Sequence, residues 1–522
     1  MRKQVILFLV CTLFFFNGII FTNKIFFFRD ILNLFMPYRL FAAENIQNGV
    51  LPLWNPYTFF GQPFLANPET SLFYPFTILF YIFKFSIAYK LFIVIHFFLA
   101  ALLFWLIAKL LNAKNSFTLV GAIAWTFGGY LSTRVEFLSI LGSAVWLPVG
   151  LFFLNKNKKI LLALTLAIQI FSGHPQVFFY TLIFMLFFLN KKRFGTLLTA
   201  LCLTFFLTAV QIIPFWEFVQ NSNRTDGLTF EEASSVSVKP TEIFTNLLPK
   251  KKIDIRDSYW LKSSYISLFP LIFVIIYFFQ KNTTKNLIFP LAIIIILALG
   301  RYTPVYYYLY KYVLPFSKIR YPAAIMFLFV FILASMIAQV KTEQFNKFIP
   351  IIFLITFFDL YLNFKKFNPT IFLELLSLKT ENIFLLQKIS NGKKYLVLPD
   401  AYSQNKTYYD FINTLPTNIN IPRHIYNASG YDPLTTEGIE TFTEKLRQNP
   451  DAKMLSRYNI KYVITTKNMS SDWKRITKNL YENKITLPKN VTINPQSFQP
   501  KYIIFLTGLW LTIISSILIL TL

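Results

Sequence analysis

The chain has 522 residues, 55% hydrophobic and 19% aromatic, with 14% charged and a mean hydropathy of +0.50. Soluble domains carry about 25% charged residues, so this composition excludes a soluble protein and indicates an integral membrane protein. The net charge of +27, from 51 Lys and Arg against 24 Asp and Glu, lies mostly in short clusters between apolar runs. That is the positive-inside pattern rather than a basic groove, and it argues against a nucleic-acid partner.

A membrane span needs roughly 20 apolar residues. Candidate spans begin near Gln4, Ile87, Ser116, Phe137, Ile160, Val177, Gly195, Ser264, Leu287, Tyr321, Phe348 and Tyr502, about twelve in all. The opening MRKQVILFLVCTLFFF has the charge and apolarity of a signal peptide but no small-residue cleavage motif after it, and reads as a retained first helix. Basic clusters alternate between the spans: Arg2 and Lys3, Lys109 and Lys114, Lys156 to Lys159, Lys191 to Arg193, Lys281 and Lys285, Lys341 and Lys347. This alternation predicts a multi-pass protein of the cytoplasmic membrane with both termini in the cytoplasm. Residues 71–85 are apolar but short and contain Pro75, so they are expected to lie at the interface or re-enter the membrane.

Three stretches fall outside the membrane on the other face. They are a first loop over residues 23–70, a second over 214–262, and a tail over 365–500 that precedes a final helix at 501–522. The tail holds two strand-like runs, KYLVLPD and IKYVITTK, with the helix-like EGIETFTEKLRQ between them, and is read as a small α/β domain. The fold expected is therefore an all-α polytopic membrane domain over 1–364 with a small extracytoplasmic α/β domain before the last helix.

The polar motifs gather on that outer face. Asp30 lies just past the first span, where a carboxylate is costly unless it faces water or a partner; the competing reading is a helix cap or an ion pair with Arg29 or Arg39. PLWNPYTFFGQP alternates turn formers with aromatics. FGGYLSTRVEF carries Tyr130 and Arg134 at the next outer turn, and SGHPQ carries His174 and Gln176. His174 fits either a proton carrier or, more simply, a hydrogen bond that closes the turn. LGRYTP and IRYP put Arg301 and Arg320 at outer span ends, against the usual charge bias; phosphate binding by guanidinium forks explains that placement, and snorkelling to headgroups is the rival. Cys11 and Cys202 sit in apolar segments and imply no disulfide. His96, His174 and His424 lack metal-ligand spacing, so no metal site is expected.

The ordered set of Asp30, PLWNPYTFFGQP, FYP, the Gly-Gly-Tyr…Arg turn, SGHPQ, Gln211…Pro214, LGRYTP, IRYP, ASGYDPL and YNIKYVI resembles the YfhO family of bacterial membrane proteins. The resemblance runs from Asp30 to about Thr466. It implies a C-type glycosyltransferase that moves a sugar from a polyprenyl-phosphate donor to an extracytoplasmic glycan, polymer or lipid, with inversion. In such enzymes an acidic residue of the first outer loop is catalytic, and Asp30 holds that position. The paired form is absent, because Arg29, Ile31 and Leu32 surround it; a divalent cation held by adjacent carboxylates is therefore unsupported, and cation use is left open. On this reading Asp30 is the base, Arg320, Arg301 and Arg134 receive the lipid phosphate, and His174, Tyr130 and Gln176 orient sugar or phosphate. The alternative is a non-catalytic transporter of lipid-linked glycans or an envelope-assembly scaffold. Transport is disfavoured because almost no ionisable residue lies near a span centre.

Overall fold

The computed structural model describes residues 1–27, 30–110, 117–250, 258–280, 285–341, 344–403, 407–486 and 508–514. The protein is predominantly helical, 64% helix against 6% strand. Helices are the expected outcome for long apolar runs, because in a bilayer the backbone must satisfy its own hydrogen bonds. Among the described residues, four helices are long and apolar enough to cross a membrane: Phe85–Leu110, Leu138–Asn155, Lys191–Val219 and Asn346–Phe364. A fifth arises if Ile288–Tyr302 and Pro304–Tyr312, bent by 86°, form one span.

The remaining predicted spans coincide with shorter helices, among them Arg2–Phe15, Lys159–Phe171, Pro175–Leu186, Leu268–Phe279 and Met326–Ala338. A helix of 12 residues, such as Pro175–Leu186, covers about 18 Å at 1.5 Å per residue. That falls short of the roughly 30 Å hydrocarbon layer. Length and composition thus support four or five crossings. Most of the final predicted span lies outside the described residues, but its 508–514 portion is helical and Thr512 Oγ1 accepts the Val210 amide at 3.1 Å. Within residues 71–85, ahead of the long helix that begins at Phe85, the α-helix is Ile78–Ile82, five residues, too short to cross.

Phe117–Phe127 is the hub of the helical body, packed on Phe85–Leu110, Met326–Ala338 and Ile349–Phe364. Gly121 permits this approach, since a Cβ there would stand 2.6 Å from the Ala334 carbonyl oxygen; small residues at such crossings let backbones close in. At one end of the bundle the loops around Asn155 and Arg193 meet, with Arg193 donating to the Asn155 side chain and to the Phe188 carbonyl at 2.9 Å.

The other end carries the loops and the tail. Strand Lys24–Phe26 pairs antiparallel with Thr370–Phe372, Ile25 opposite Ile371. Beyond it the tail folds into a five-stranded sheet in the order Tyr426–Asn427, Lys394–Val397, Ile460–Ile464, Leu480–Asn483, Trp473–Arg475. The first two pairings are parallel and the last two antiparallel. Side chains alternate across it as the pleat requires. Tyr395, Val397, Tyr462 and Ile464 join one apolar cluster, while Leu396, Leu398, Ile460 and Val463 join the other.

That second cluster also contains Phe59 and Phe60 of the first loop. Both have positive φ, 49° and 64°, a conformation that costs a non-glycine residue on the order of 1–3 kcal/mol and persists only where packing over-determines it. The α/β tail is therefore built jointly with the first loop, and the core of one is completed by the aromatics of the other.

Candidate functional site

The junction of the first loop with the tail gathers the acidic groups. Asp30 precedes a π-helical turn, Ile31–Phe35, which runs into helix Met36–Gln47. It is partly exposed, and the Tyr431 hydroxyl donates to its Oδ1 at 2.9 Å. Next to Tyr431 in the chain, Asp432 is buried. Its Oδ2 accepts from the Tyr38 hydroxyl and from Asn67 Nδ2 at 2.7 Å, and its Oδ1 accepts the Leu434 amide at 2.9 Å. The carbonyl end of the same Asn67 side chain caps the amide of Glu69 at 3.0 Å. Asn67 thus couples Asp432 to Glu69 across more than three hundred residues of sequence.

Burial pushes the Glu69 carboxyl up to about 8, with Asp432 and Asp30 adding to the rise and Ser139 and Arg39 opposing it. Burial likewise pushes Asp432 up to about 7 against the hydrogen bonds it accepts. Both shifts follow from taking charge out of water beside like charge. Arg39, fully buried, fixes the loop that carries Glu69: it donates to the Thr70 carbonyl and, at 3.0 Å, to Ser71 Oγ. Among the described residues, no group of three His, Cys, Asp or Glu side chains is arranged to hold a metal ion.

The SGHPQ turn packs directly on this loop. Ser71 Oγ donates to the Ser172 carbonyl at 2.7 Å. Gly173, at φ 96°, allows the contact, since a Cβ there would stand 2.1 Å from the Pro68 carbonyl oxygen. His174 caps helix Pro175–Leu186, its Nδ1 accepting the Val177 amide at 3.2 Å. Burial, helped by the charge of Arg134, lowers its pKa and favours the neutral ring that accepts this bond. Gln176 ties this turn to the IRYP segment. Its Nε2 donates to the carbonyls of Arg320 at 2.5 Å and Tyr321 at 3.3 Å, and to the Tyr180 hydroxyl at 3.1 Å. Tyr321 sits at φ 64°, and these bonds hold that strained turn.

The turn presents Arg320 to a cavity of about 770 Å³, whose wall also includes Phe59, Tyr321, Tyr431, Asp432 and the tail helix Ile439–Gln448. Arg320 stacks on Tyr321, 5.2 Å from the ring centroid, and among the described residues its guanidinium has no hydrogen bond or ion pair. Asp30 lies one hydrogen bond behind this wall, through Tyr431.

The other arginines expected at the site are engaged elsewhere. Arg134 is fully buried, donates to the carbonyls of Trp260 and Leu261, and stacks 4.3 Å over Tyr130. Arg301 donates to the carbonyls of Ser234 at 3.2 Å and Glu231 at 3.0 Å, closing the end of helix Phe230–Ala233. Tyr130 is buried with its hydroxyl on the Ala324 carbonyl at 3.1 Å. The structure therefore brings Asp30, Arg320 and Gln176 together and leaves Arg134, Arg301, Tyr130 and His174 as supports. Glu69, Asp432, Tyr431 and Tyr38 complete the site. Tyr431 and Asp432 stand inside the ASGYDPL motif and Glu69 lies in the first outer loop, but their convergence comes from tertiary contact alone. No protein-family model and no curated protein sequence matches this chain.

Proposed function

We propose that the protein is a membrane glycosyltransferase that takes a sugar from a polyprenyl-phosphate donor and passes it, with inversion, to an extracytoplasmic glycan or lipid acceptor. The same reading puts the N-terminus in the cytoplasm, the chain through the membrane about twelve times, and the Asp30 end with its α/β tail outside. The supporting observation is that Arg320, whose guanidinium stacks on Tyr321 and has no hydrogen bond or ion pair among the described residues, faces a cavity whose wall residue Tyr431 donates to the partly exposed carboxylate of Asp30.

The chemistry asked of these groups is modest. Asp30 takes the proton from an acceptor hydroxyl as that oxygen attacks the anomeric carbon. The bond from that carbon to the lipid phosphate oxygen breaks on the opposite face, and Arg320 stabilises the charge left on the phosphate. Gln176 positions Arg320 through its backbone, and Tyr431 orients Asp30. A guanidinium fork matches phosphate bidentately, whereas lysine offers a point charge.

The test uses membranes from cells with the unaltered protein and with Arg320→Lys or Arg301→Lys. Release of polyprenyl phosphate from the lipid-linked sugar is followed by mass spectrometry. Arg320→Lys should impair turnover or donor binding while Arg301→Lys leaves both near normal. Full activity in Arg320→Lys removes the phosphate role.

A further inference from the structure

Helix Pro304–Tyr312 has no part in the site just described, yet its surface is unusual. The apolar helix Ile288–Leu299 ends at Gly300, φ 50°, where a Cβ would stand 2.1 Å from Ser237 Oγ. The chain then turns by 86° into Pro304–Tyr312. One edge of this helix is fixed to the protein: Tyr306 is buried with its hydroxyl on the Ala233 carbonyl at 3.2 Å, and the Tyr310 hydroxyl donates to the Leu228 carbonyl at 2.8 Å.

The opposite edge is open. Val305, Tyr308 and Tyr312 follow one another at helical spacing and are 45%, 59% and 70% exposed; Leu314 prolongs the stripe. The rings of Tyr308 and Tyr312 lie parallel, 6° apart, and Lys311 Nζ stands 5.3 Å from the Tyr312 ring centre. A contiguous apolar-aromatic stripe facing water is a liability that marks an interaction surface. A turn of 86° away from an apolar helix that enters the bilayer carries the next helix into the plane of the membrane surface. Tyrosine and lysine together are the composition of the headgroup layer, where an aromatic body and a polar tip are both satisfied. The preceding apolar helix also has an outward surface, where Phe289 and Ala292 are exposed.

We infer that helix Pro304–Tyr312 lies in the lipid headgroup layer, its open edge occupied by phospholipid, and that it thereby fixes the depth of Arg320. The mechanical link is short. Helix Leu314–Lys318 follows directly; its buried Phe316 packs against Tyr306 and Phe179, and Lys318 Nζ donates to the carbonyls of Arg224 and Thr225, each at 2.5 Å. Arg320 comes two residues later. With the helix at headgroup level, the anion that Arg320 meets is a phosphate held in the membrane rather than one free in water. This last step rests on the phosphate reading of Arg320; the depth of the helix does not.

The test places nitroxide labels at positions 308 and 312, with Cys11 and Cys202 replaced by alanine, in vesicles of phosphatidylethanolamine and phosphatidylglycerol. Positions 289 and 437 serve as hydrocarbon and water references. Collision with oxygen and with a nickel chelate should put both labels between the references. Water-like values at both positions, hydrocarbon-like values, or protection from both reagents would each overturn the inference. Binding of a polyprenyl monophosphate in the same vesicles and of inorganic phosphate in solution is then compared between the unaltered protein and a Tyr308→Asp, Tyr312→Asp variant. The inference predicts a several-fold weaker lipid-phosphate affinity and an unchanged inorganic-phosphate affinity; equal change in both, or none, severs the link to Arg320. Failure of the unaltered protein to bind either probe overturns the phosphate role of Arg320 and leaves the depth result standing.

Discussion

Arg320 differs from Arg134 and Arg301 in what its guanidinium touches, a tyrosine ring rather than backbone carbonyls. Arg134 and Arg301 are engaged by backbone carbonyls, so charge-preserving changes there act on folding: Arg134→Lys, which cannot serve two carbonyls from one planar fork, should lower thermal stability in detergent. Asp30→Asn keeps size and hydrogen bonding while removing basicity, and loss of a general base lowers turnover by about 10²–10⁴-fold. If the folded Asn variant turns over normally, the base lies elsewhere, with Glu69 the next candidate. Glu69 has a second signature. Its pKa is pushed up to about 8 and that of Asp432 to about 7, so the folded state holds these protons more tightly than the unfolded chain. The stabilisation is complete below the ordinary carboxylate range and is lost as pH rises through these values. Thermal stability should therefore fall from about pH 5 to about pH 8.5, and Glu69→Gln should flatten that decline. An unchanged slope in the Gln variant would place the linkage on other groups.

Among the elements, the loop segment carrying Phe59 and Phe60 does the most to unite the molecule, because it supplies aromatics to the core of a sheet more than three hundred residues away. Truncating a buried Phe typically costs about 3–5 kcal/mol. Phe60→Ala should accordingly speed hydrogen exchange in strands Lys394–Val397 and Ile460–Ile464 while leaving helix Phe117–Phe127 protected. Exchange in the two strands that the substitution leaves unchanged would mean that the tail stands alone. The strands of this tail were legible as short apolar runs rich in aromatic and branched residues, such as Tyr395, Leu396 and Val397 ahead of Pro399. Such runs could not reveal that Phe59 completes the tail core, nor that Tyr38 binds Asp432, 394 positions away. Arginines at span ends were likewise legible as unusual, because they oppose the charge bias. What each guanidinium binds depends on carbonyls brought by other elements, and that separates Arg320 from Arg134 and Arg301. The turn-closing bond of His174, one of the two readings the sequence left open, was legible because it is local, three residues from its partner.

At the scale of the whole molecule, the apolar composition and the long helices agree on a membrane-embedded protein, and the lysine pattern is the basis for the sides proposed. Impermeant labelling of single cysteines in intact cells should reach position 402 and spare position 156; the reverse would put the site on the cytoplasmic face. The central claim is that the cavity between the first loop and the tail transfers sugar from a lipid phosphate. Mass spectrometry of envelope glycans and lipids, comparing cells with the protein, without it, and with Asp30→Asn at normal abundance, tests that claim most directly. The account predicts that a hexose-type substituent disappears from the glycans in both altered strains while the polyprenyl-phosphate sugar accumulates. Glycans unchanged by removal of the protein, or fully restored by the Asp30→Asn form, would contradict it.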